Sequence, residues 1–231
     1  MPIVLVSSKT VAEMVPLNRE LAPGDPFVIE NGGGIVVRAR SPIAHDLKSQ
    51  GTLGDPQQSG NLLTFPLGKQ YGELVRILEQ MSVMLDVGLQ GFSAMSDSQV
   101  ASLTGLPLED AAKARKRGFD EPFVVPKEVL GRKSEIEAAA ASLGVIAVQG
   151  GRFWHLIGHE GKGAAVASLI AAYRRLFGNI VTVGLGDSPN DFPFLELVDI
   201  PVILGAARQS LVIPQSLERA RRTSRLGPEG W

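Results

Sequence analysis

The sequence predicts an α/β protein whose parallel-type sheet is interrupted by a long inserted α+β segment. Three observations carry that reading. The apolar run Ile3 to Val6 has the character of a strand buried on both faces of a parallel sheet. A second run, Ile180 to Val183, discharges into Gly184-Leu185-Gly186-Asp187-Ser188-Pro189-Asn190-Asp191, a Gly-rich turn bearing two carboxylates and an amide. Between these ends, from about Leu67 to Gly158, helices and strands mix without the parallel pattern. The expected division is a core of residues 1–66 and 159–231 with an insert of residues 67–158.

The elements follow in order. Ser7-Ser8-Lys9-Thr10 ends the first strand, and Val11, Met14, Val15 and Leu17 begin a helical pattern. Phe27 to Ile29 and Ile35 to Val37 read as strands on either side of Glu30-Asn31-Gly32-Gly33-Gly34, where three glycines permit a tight hairpin or a close approach to a ligand. Residues 41–61 are polar, with Gly51, Gly54, Pro56 and Gly60, and are expected to be loop. Leu74, Ile77, Leu78, Met81 and Leu85 share one face of a helix from Tyr71 to Leu85. Ser96 with Gln99 forms a capping-box signature, and Pro107 suits the start of a helix running to about Arg117. Phe123 to Val125 is a predicted strand, Lys127 to Leu143 a helix closed by Gly144, and Val145 to Val148 a strand. Gly150-Gly151 turns into Phe153 to Ile157, which is expected to run antiparallel. Val166, Leu169, Ile170, Tyr173 and Phe177 then mark an amphipathic helix closed by Gly178. A short helix around Phe194 to Leu197 and a strand from Pro201 to Leu204 complete the core. The arginines Arg219, Arg221, Arg222 and Arg225 suggest a solvated tail helix.

Composition narrows the function classes. With 231 residues, 44% hydrophobic and 20% charged, the chain has the make-up of an ordinary globular protein of one large or two modest domains. A net charge of −1 argues against a general nucleic-acid binder, and the absence of cysteine excludes thiolate chemistry and disulfides. No apolar run approaches the roughly 20 residues that span a bilayer. The opening MPIVLVSSKT lacks the cationic region and cleavage site of a signal peptide, so no membrane partner and a cytoplasmic location are expected.

The residues that carry chemistry cluster at strand ends. Asp187 and Asp191, four apart across a strand-to-helix turn, allow one carboxylate to bind Mg²⁺ directly while the other orients a ligand, and Asn190 adds a carbonyl and two donors. An acidic helix cap is the plainer alternative. Lys162, between Gly161 and Gly163 at a helix start, sits where the macrodipole disfavours a cation, which invites a phosphate-binding role beside that of an exposed loop lysine. Ser7, Ser8, Lys9 and Thr10 at the end of the first strand can hold phosphoryl oxygens or cap a helix. Glu30-Asn31-Gly32-Gly33 suits a ligand-facing loop or an ordinary turn. In the insert, Arg115, Lys116 and Arg117 read in part as a solvated helix face, while strand alternation sends Arg152 and His155 to opposite faces.

Taken together these segments resemble the haloacid dehalogenase-like (HAD) phosphatases. The carriers are Val6-Ser7-Ser8-Lys9-Thr10, Gly161-Lys162-Gly163 and Gly186-Asp187-Ser188-Pro189-Asn190-Asp191, in the order of that superfamily's second, third and fourth motifs. The insert position is similar to the α/β cap of Cof-like sugar phosphatases. Phe27 to Gly33, Arg117 to Phe123, Gly150 to His155 and Gly227 to Gly230 resemble the mannosyl-3-phosphoglycerate phosphatases more closely. The resemblance implies a HAD-like Rossmannoid core with an α+β cap, and Mg²⁺-dependent hydrolysis of a phosphorylated sugar-glycerate. It implies catalytic roles for Ser7, Lys162 and Asp191, and metal binding by Asp187 and Asn190. It also implies substrate contacts from Ser8, Lys9, Asn31, Gly32, Arg117, Arg152 and His155.

One departure stands out. The family places its nucleophile and general acid in a D-x-D-G-T segment on the central strand, and no D-x-D occurs in these 231 residues. The first core strand of the family pattern is therefore expected to be missing, which would leave its two neighbours with unpaired backbone groups. A chain without that nucleophile is expected to be catalytically inactive and poorly stable. An in-frame D-x-D-G-T upstream of Met1 is the expected source. Hydrolysis of another sugar phosphate, or ligand binding without turnover, are the competing readings.

Overall fold

Parallel pairing starts where the first two apolar runs meet. In the computed structural model, β1 (Leu5–Val6) lies parallel to β2 (Phe27–Ile29), with α1 (Val11–Leu21) as the crossover. The structure describes residues 1–126, 131–150, 152–158, 161–205 and 212–225. Thr10 caps α1 through a reciprocal box with Glu13, so the chain leaves β1 with two orphan amides already satisfied. A one-turn 3₁₀ segment, Glu30–Gly32, folds β2 back onto β3 (Gly34–Arg38). Antiparallel pairing continues through β5 (Leu62–Pro66) to β4 (Gln57–Ser59), giving the order β1-β2-β3-β5-β4. This sheet is thus mixed, its single parallel pair being β1 with β2.

Residues 41–61 correct the sequence reading. They hold α2 (Pro42–Gln50) and β4 in place of an unbroken loop. Ser41 accepts the Ala44 amide at 3.1 Å and Pro42 occupies the first turn, a start signal that was present in the sequence. Gly51 closes the helix at φ +60°. Only Ile43, Ala44 and Leu47 are buried, so the apolar stripe is too short to show as a period. β4 is fully exposed and polar, and only its backbone pairing with β5 makes it a strand.

The insert builds its own sheet, β6-β7-β9-β8, all antiparallel, from Gln90–Gly91, Asp120–Val124, Trp154–Ile157 and Ile146–Gln149 respectively. On it pack α3 (Tyr71–Leu85) and α6 (Lys133–Ser142), where Leu74, Ile77, Leu78 and Met81 meet Ile136, Ala140, Phe123 and Leu156. A second cluster of Phe92, Met95, Val100 and Ala111 joins α4 (Asp97–Thr104) to α5 (Leu108–Ala114). The Ser96–Gln99 capping box forms as expected. Pro107 serves as the N-cap of α5, which stops at Ala114 and so is shorter than the pattern suggested. Residues 127–130 of the predicted helix, Gly151 and the Gly227–Gly230 segment lie outside the described residues.

The remaining core strands, β10 (Val183–Gly186), β11 (Ile200–Ile203) and β12 (Arg221–Arg222), form a parallel sheet. Here too the sequence reading shifts. The strand begins at Val183 and runs into the glycines, while Val181 is 74% and Val183 53% exposed. Arg221 and Arg222 sit in β12 against Val202 and Ile203, so they belong to a strand and not to a tail helix. Among the described residues β1 and β10 each end a sheet and are not paired with one another. The helix α7 (Lys162–Phe177) joins the two halves: Ala165, Leu169 and Ala172 pack on the first sheet's core, and Val166 meets Phe192, Leu195 and Ile203. α8 (Phe192–Leu195) follows the acidic turn. No helix among the described residues is long and apolar enough to cross a membrane.

A close backbone contact lies at Gly32, at φ +102°, where an added Cβ would stand 2.3 Å from the Gly161 carbonyl oxygen. Gly32→Ala combines a left-handed backbone with a backbone clash. It is expected to cost at least about 2 kcal/mol, read as a fall in the urea midpoint at unchanged slope.

Candidate active site

The site assembles at the end of β10 and the start of α7. Lys162 is the first residue of α7, preceded by Gly161 at φ +77°. Its ammonium donates to Asp191 Oδ1 at 2.6 Å, and both side chains are about nine-tenths buried. A buried lysine at a helix N-terminus needs a compensating anion, and Asp191 supplies it. The other oxygen, Asp191 Oδ2, accepts the amides of Asp187 and Ser188 at 3.1 and 3.2 Å and lies 2.9 Å from Ser188 Oγ. Asp191 is therefore a strut: it fixes the lysine on one side and the shape of the acidic turn on the other. Gly186 permits this, since a Cβ there would stand 2.6 Å from Asp191 Cβ. Asp187 itself is exposed at the strand end.

Facing this turn is the hairpin Glu30–Gly33. Glu30 and Asn31 both have positive φ, 48° and 57°, and their backbone N–H groups donate hydrogen bonds to the Lys9 and Ser7 carbonyls at 3.0 Å. Asn190 Nδ2 donates to Asn31 Oδ1 at 3.2 Å. Ser7 Oγ accepts the Lys9 amide at 3.2 Å, which leaves its hydroxyl proton to donate elsewhere. Lys9 extends to Glu13 at 3.2 Å, so its charge is already matched within α1.

Above the hairpin, the insert makes a polar seam with the core. The carboxylate of Glu30 accepts the amides of Gly118 and Phe119, at 3.0 and 2.8 Å for its Oε2. Arg117 donates to the Ser8 carbonyl at 3.0 Å and approaches Asp120 at 3.4 Å. Thr10 Oγ1 donates to the Lys113 carbonyl at 2.9 Å. Asp120 is fully buried and takes His155 Nδ1 at 2.9 Å together with Asn31 Nδ2 at 2.8 Å. Burial works to raise its pKa, yet His155, Arg117 and Asn31 together hold it below the usual carboxylate range. For Glu30 the balance tips the other way: burial dominates, and its pKa is pushed up to about 7 despite Arg117 and the two amides.

Most of the sequence-predicted residues therefore converge. Ser7, Ser8, Asn31, Gly32, Arg117, His155, Lys162, Asn190 and Asp191 all join this network through their side chains or backbone. Arg152 does not; it is exposed and donates to the Thr104 carbonyl inside the insert. It precedes β9 and shares no partner with His155, which bonds Asp120. Thr10 and Glu30 fell within segments read from sequence as a capping or ligand-facing turn, but their bonds to the insert were not foreseen, and Asp120 was given no role. A carboxylate opening the apolar strand Asp120–Val124 was the available signal for the last.

No family model matches the chain. Among curated relatives, a "glucosyl-3-phosphoglycerate/mannosyl-3-phosphoglycerate phosphatase" of Methanococcoides burtonii is 32% identical, over 100% of this chain and 82% of its own length. One of the same description from Persephonella marina is 33% identical, over 88% of this chain and 72% of its own length. The chain belongs to the glucosyl-3-phosphoglycerate/mannosyl-3-phosphoglycerate phosphatase family. Among solved structures, a HAD subclass IIB sugar phosphatase superposes with a TM-score of 0.59 at 14% identity, covering 100% of this chain and 82% of that one. That likeness gives the fold: HAD-like, mixed α/β. As a member of the glucosyl-3-phosphoglycerate/mannosyl-3-phosphoglycerate phosphatase family, the chain is of the phosphoric monoester hydrolase class.

The raised pKa of Glu30 has a thermodynamic consequence. Between its ordinary value of 4.5 and about 7 the folded chain keeps a proton that the unfolded chain releases. This contribution therefore makes stability fall as pH rises through that window, by about 3 kcal/mol once both forms are ionised. Glu30→Gln cannot ionise, and thermal melts at pH 5 and pH 8 should differ markedly less for it than for the parent.

Proposed function

We propose that this site binds the phosphoryl group of a 3-phosphoglycerate glycoside, mannosyl-3-phosphoglycerate or its glucosyl counterpart, as part of its hydrolysis to mannosylglycerate or glucosylglycerate and phosphate. The observation that carries the reading is the buried Lys162–Asp191 pair beside the exposed carboxylate of Asp187. Lys162 offers charge to a phosphoryl oxygen in a setting of low dielectric, with the helix N-terminus behind it. The Ser7 hydroxyl, its oxygen engaged by the Lys9 amide, donates to a second oxygen. Asp191 holds the lysine and the turn in place.

The donor set suits Mg²⁺. Among the described residues no group of three or more His, Cys, Asp or Glu side chains gathers for a metal. One carboxylate, Asp187, with the Asn190 carbonyl and the substrate's own oxygens is the sparse arrangement that a hydrated Mg²⁺ accepts. When bound there, the ion would offset phosphoryl charge. The insert, residues 67–158, acts as the cap over this end of the core, with Arg117 and His155 on its inner seam.

A second reading has its own observation. No D-x-D occurs in the 231 residues, so the attacking carboxylate of the family chemistry is not among them. We propose that these 231 residues by themselves bind the phosphorylated ligand without turning it over.

Calorimetry and a phosphate-release assay on the same preparation test both readings. Mannosyl-3-phosphoglycerate is expected to bind in the presence of Mg²⁺, and Lys162→Ala to weaken binding at least about tenfold, the loss of one charge-assisted contact. Equal affinity in the variant would remove Lys162 from the phosphate site. Sustained release of phosphate by the parent would show that the chain needs no further carboxylate.

A further inference from the structure

One side chain joins the insert to the acidic turn. Asn31 Nδ2 donates to Asp120 Oδ2 at 2.8 Å, and Asn31 Oδ1 accepts from Asn190 Nδ2 at 3.2 Å. The orientation of the amide is fixed by its partners: an ionised carboxylate can only accept, so the nitrogen must face Asp120. The two ends of the amide are thus committed in opposite directions, one to the insert and one to the core. From Asn190 the contacts run on through Ser188 Oγ, at 2.5 Å from Asn190 Oδ1 and 2.9 Å from Asp191 Oδ2, and so to Lys162.

The backbone beneath this side chain is equally constrained. Asn31 sits at φ 57° next to Glu30 at φ 48°, a pair of left-handed non-glycine residues that persists only where the surroundings enforce it. The surroundings here are the insert's Gly118 and Phe119 amides on the Glu30 carboxylate, and the Ser7 and Lys9 carbonyls of the core. Were the insert to lift away, Asp120 would leave with it. Asn31 would lose its acceptor, and the hold on its strained backbone would slacken on the same side.

We propose that Asn31 is a positioning residue that ties the seating of the insert to the arrangement of the Asp187–Asp191 turn. The turn is in its ordered form when Asp120 holds the Asn31 amide, and it loosens when that contact opens. The role assigned to the turn rests on the phosphate-binding reading above; the link itself rests on the geometry alone.

Asn31→Gly isolates the side chain, because glycine tolerates the positive φ without strain. Hydrogen exchange in the full 231-residue chain reads the two sides separately: the Gly118 and Phe119 amides report the insert, and the Asp187, Ser188 and Asp191 amides report the turn. Both sets are expected to exchange about tenfold faster in the variant, with the melting temperature nearly unchanged and inorganic phosphate bound about tenfold more weakly, a coupling of ordinary size. Asn31→Asp sets a carboxylate against Asp120 and should have the same effect. Adding Asp120→Asn restores a donor facing an acceptor, and protection of the turn should return, which a general loss of packing would not do. Faster exchange on the insert side with an unchanged turn overturns the proposal, as does a double variant no better than Asn31→Asp alone. Should Asn31→Gly lose its cooperative melt, the exchanged pair decides. A parent chain that binds no phosphate, with the exchange pattern as expected, would sink the phosphate reading and leave the link standing.

Discussion

The turn Glu30–Gly33 is the constraint on which the rest of the molecule depends. At Gly32 and Gly33 it passes so close to its neighbours that neither position has room for a Cβ. Gly32 abuts the Gly161 carbonyl, and a Cβ on Gly33 would stand 2.3 Å from Phe119 Cβ. Close packing of this kind fixes position far more sharply than apolar burial alone, because displacement by a fraction of an ångström produces overlap. The loop before α7 and the segment leading into β7 therefore take their places from the same four residues. The polar groups follow from that fit: Glu30 takes up two amides of the insert, and Asn31 reaches Asp120 and Asn190.

Buried charge is distributed around this turn in two compensated groups. Lys162 with Asp191 lies on the core side, and Asp120 with His155 and Arg117 on the insert side. Each is costly to bury and strongly destabilising if broken, so neither is explained by stability alone. Both hold donors and acceptors in set directions, one on each side of the Glu30–Gly33 turn. Glu30 differs. Its burial outweighs Arg117 and the two backbone amides, with Asp120 adding to the effect, so its pKa is pushed up to about 7.

The core is held together less by its sheets than by α7. β1 and β10 end separate sheets, and the helix bridges them by packing one side on Val28, Ile35 and Phe65 and the other on Phe192, Leu195 and Ile203. Its first residue is Lys162. The element that unites the two halves of the core therefore also carries the buried Lys162, and the packing of Ala165, Leu169 and Val166 determines where its ammonium stands beside Asp191.

Much of this was legible in the sequence. Chemistry confined to a short stretch is written there: the glycine-flanked Lys162, the Gly186–Asp191 turn and the Thr10 and Ser96 caps depend on neighbours within a few residues. Strongly periodic helices such as Tyr71–Leu85 were visible for the same reason. What the sequence could not place depends on partners far along the chain. β4 is a strand only because β5 pairs with it, α2 is short and buries just three residues, and Val183–Gly186 pairs through glycines instead of the apolar run before them. The burial of Glu30 and Asp120 could not be read locally, since each is enclosed by a segment nearly ninety positions away. The sequence by itself determined the family and the local shape of the Lys162 and Gly186–Asp191 segments, because both depend on neighbours close along the chain. Only the tertiary structure decided that Asn31 faces the insert and the acidic turn at once, because a hydrogen bond between distant segments exists only when packing brings them together.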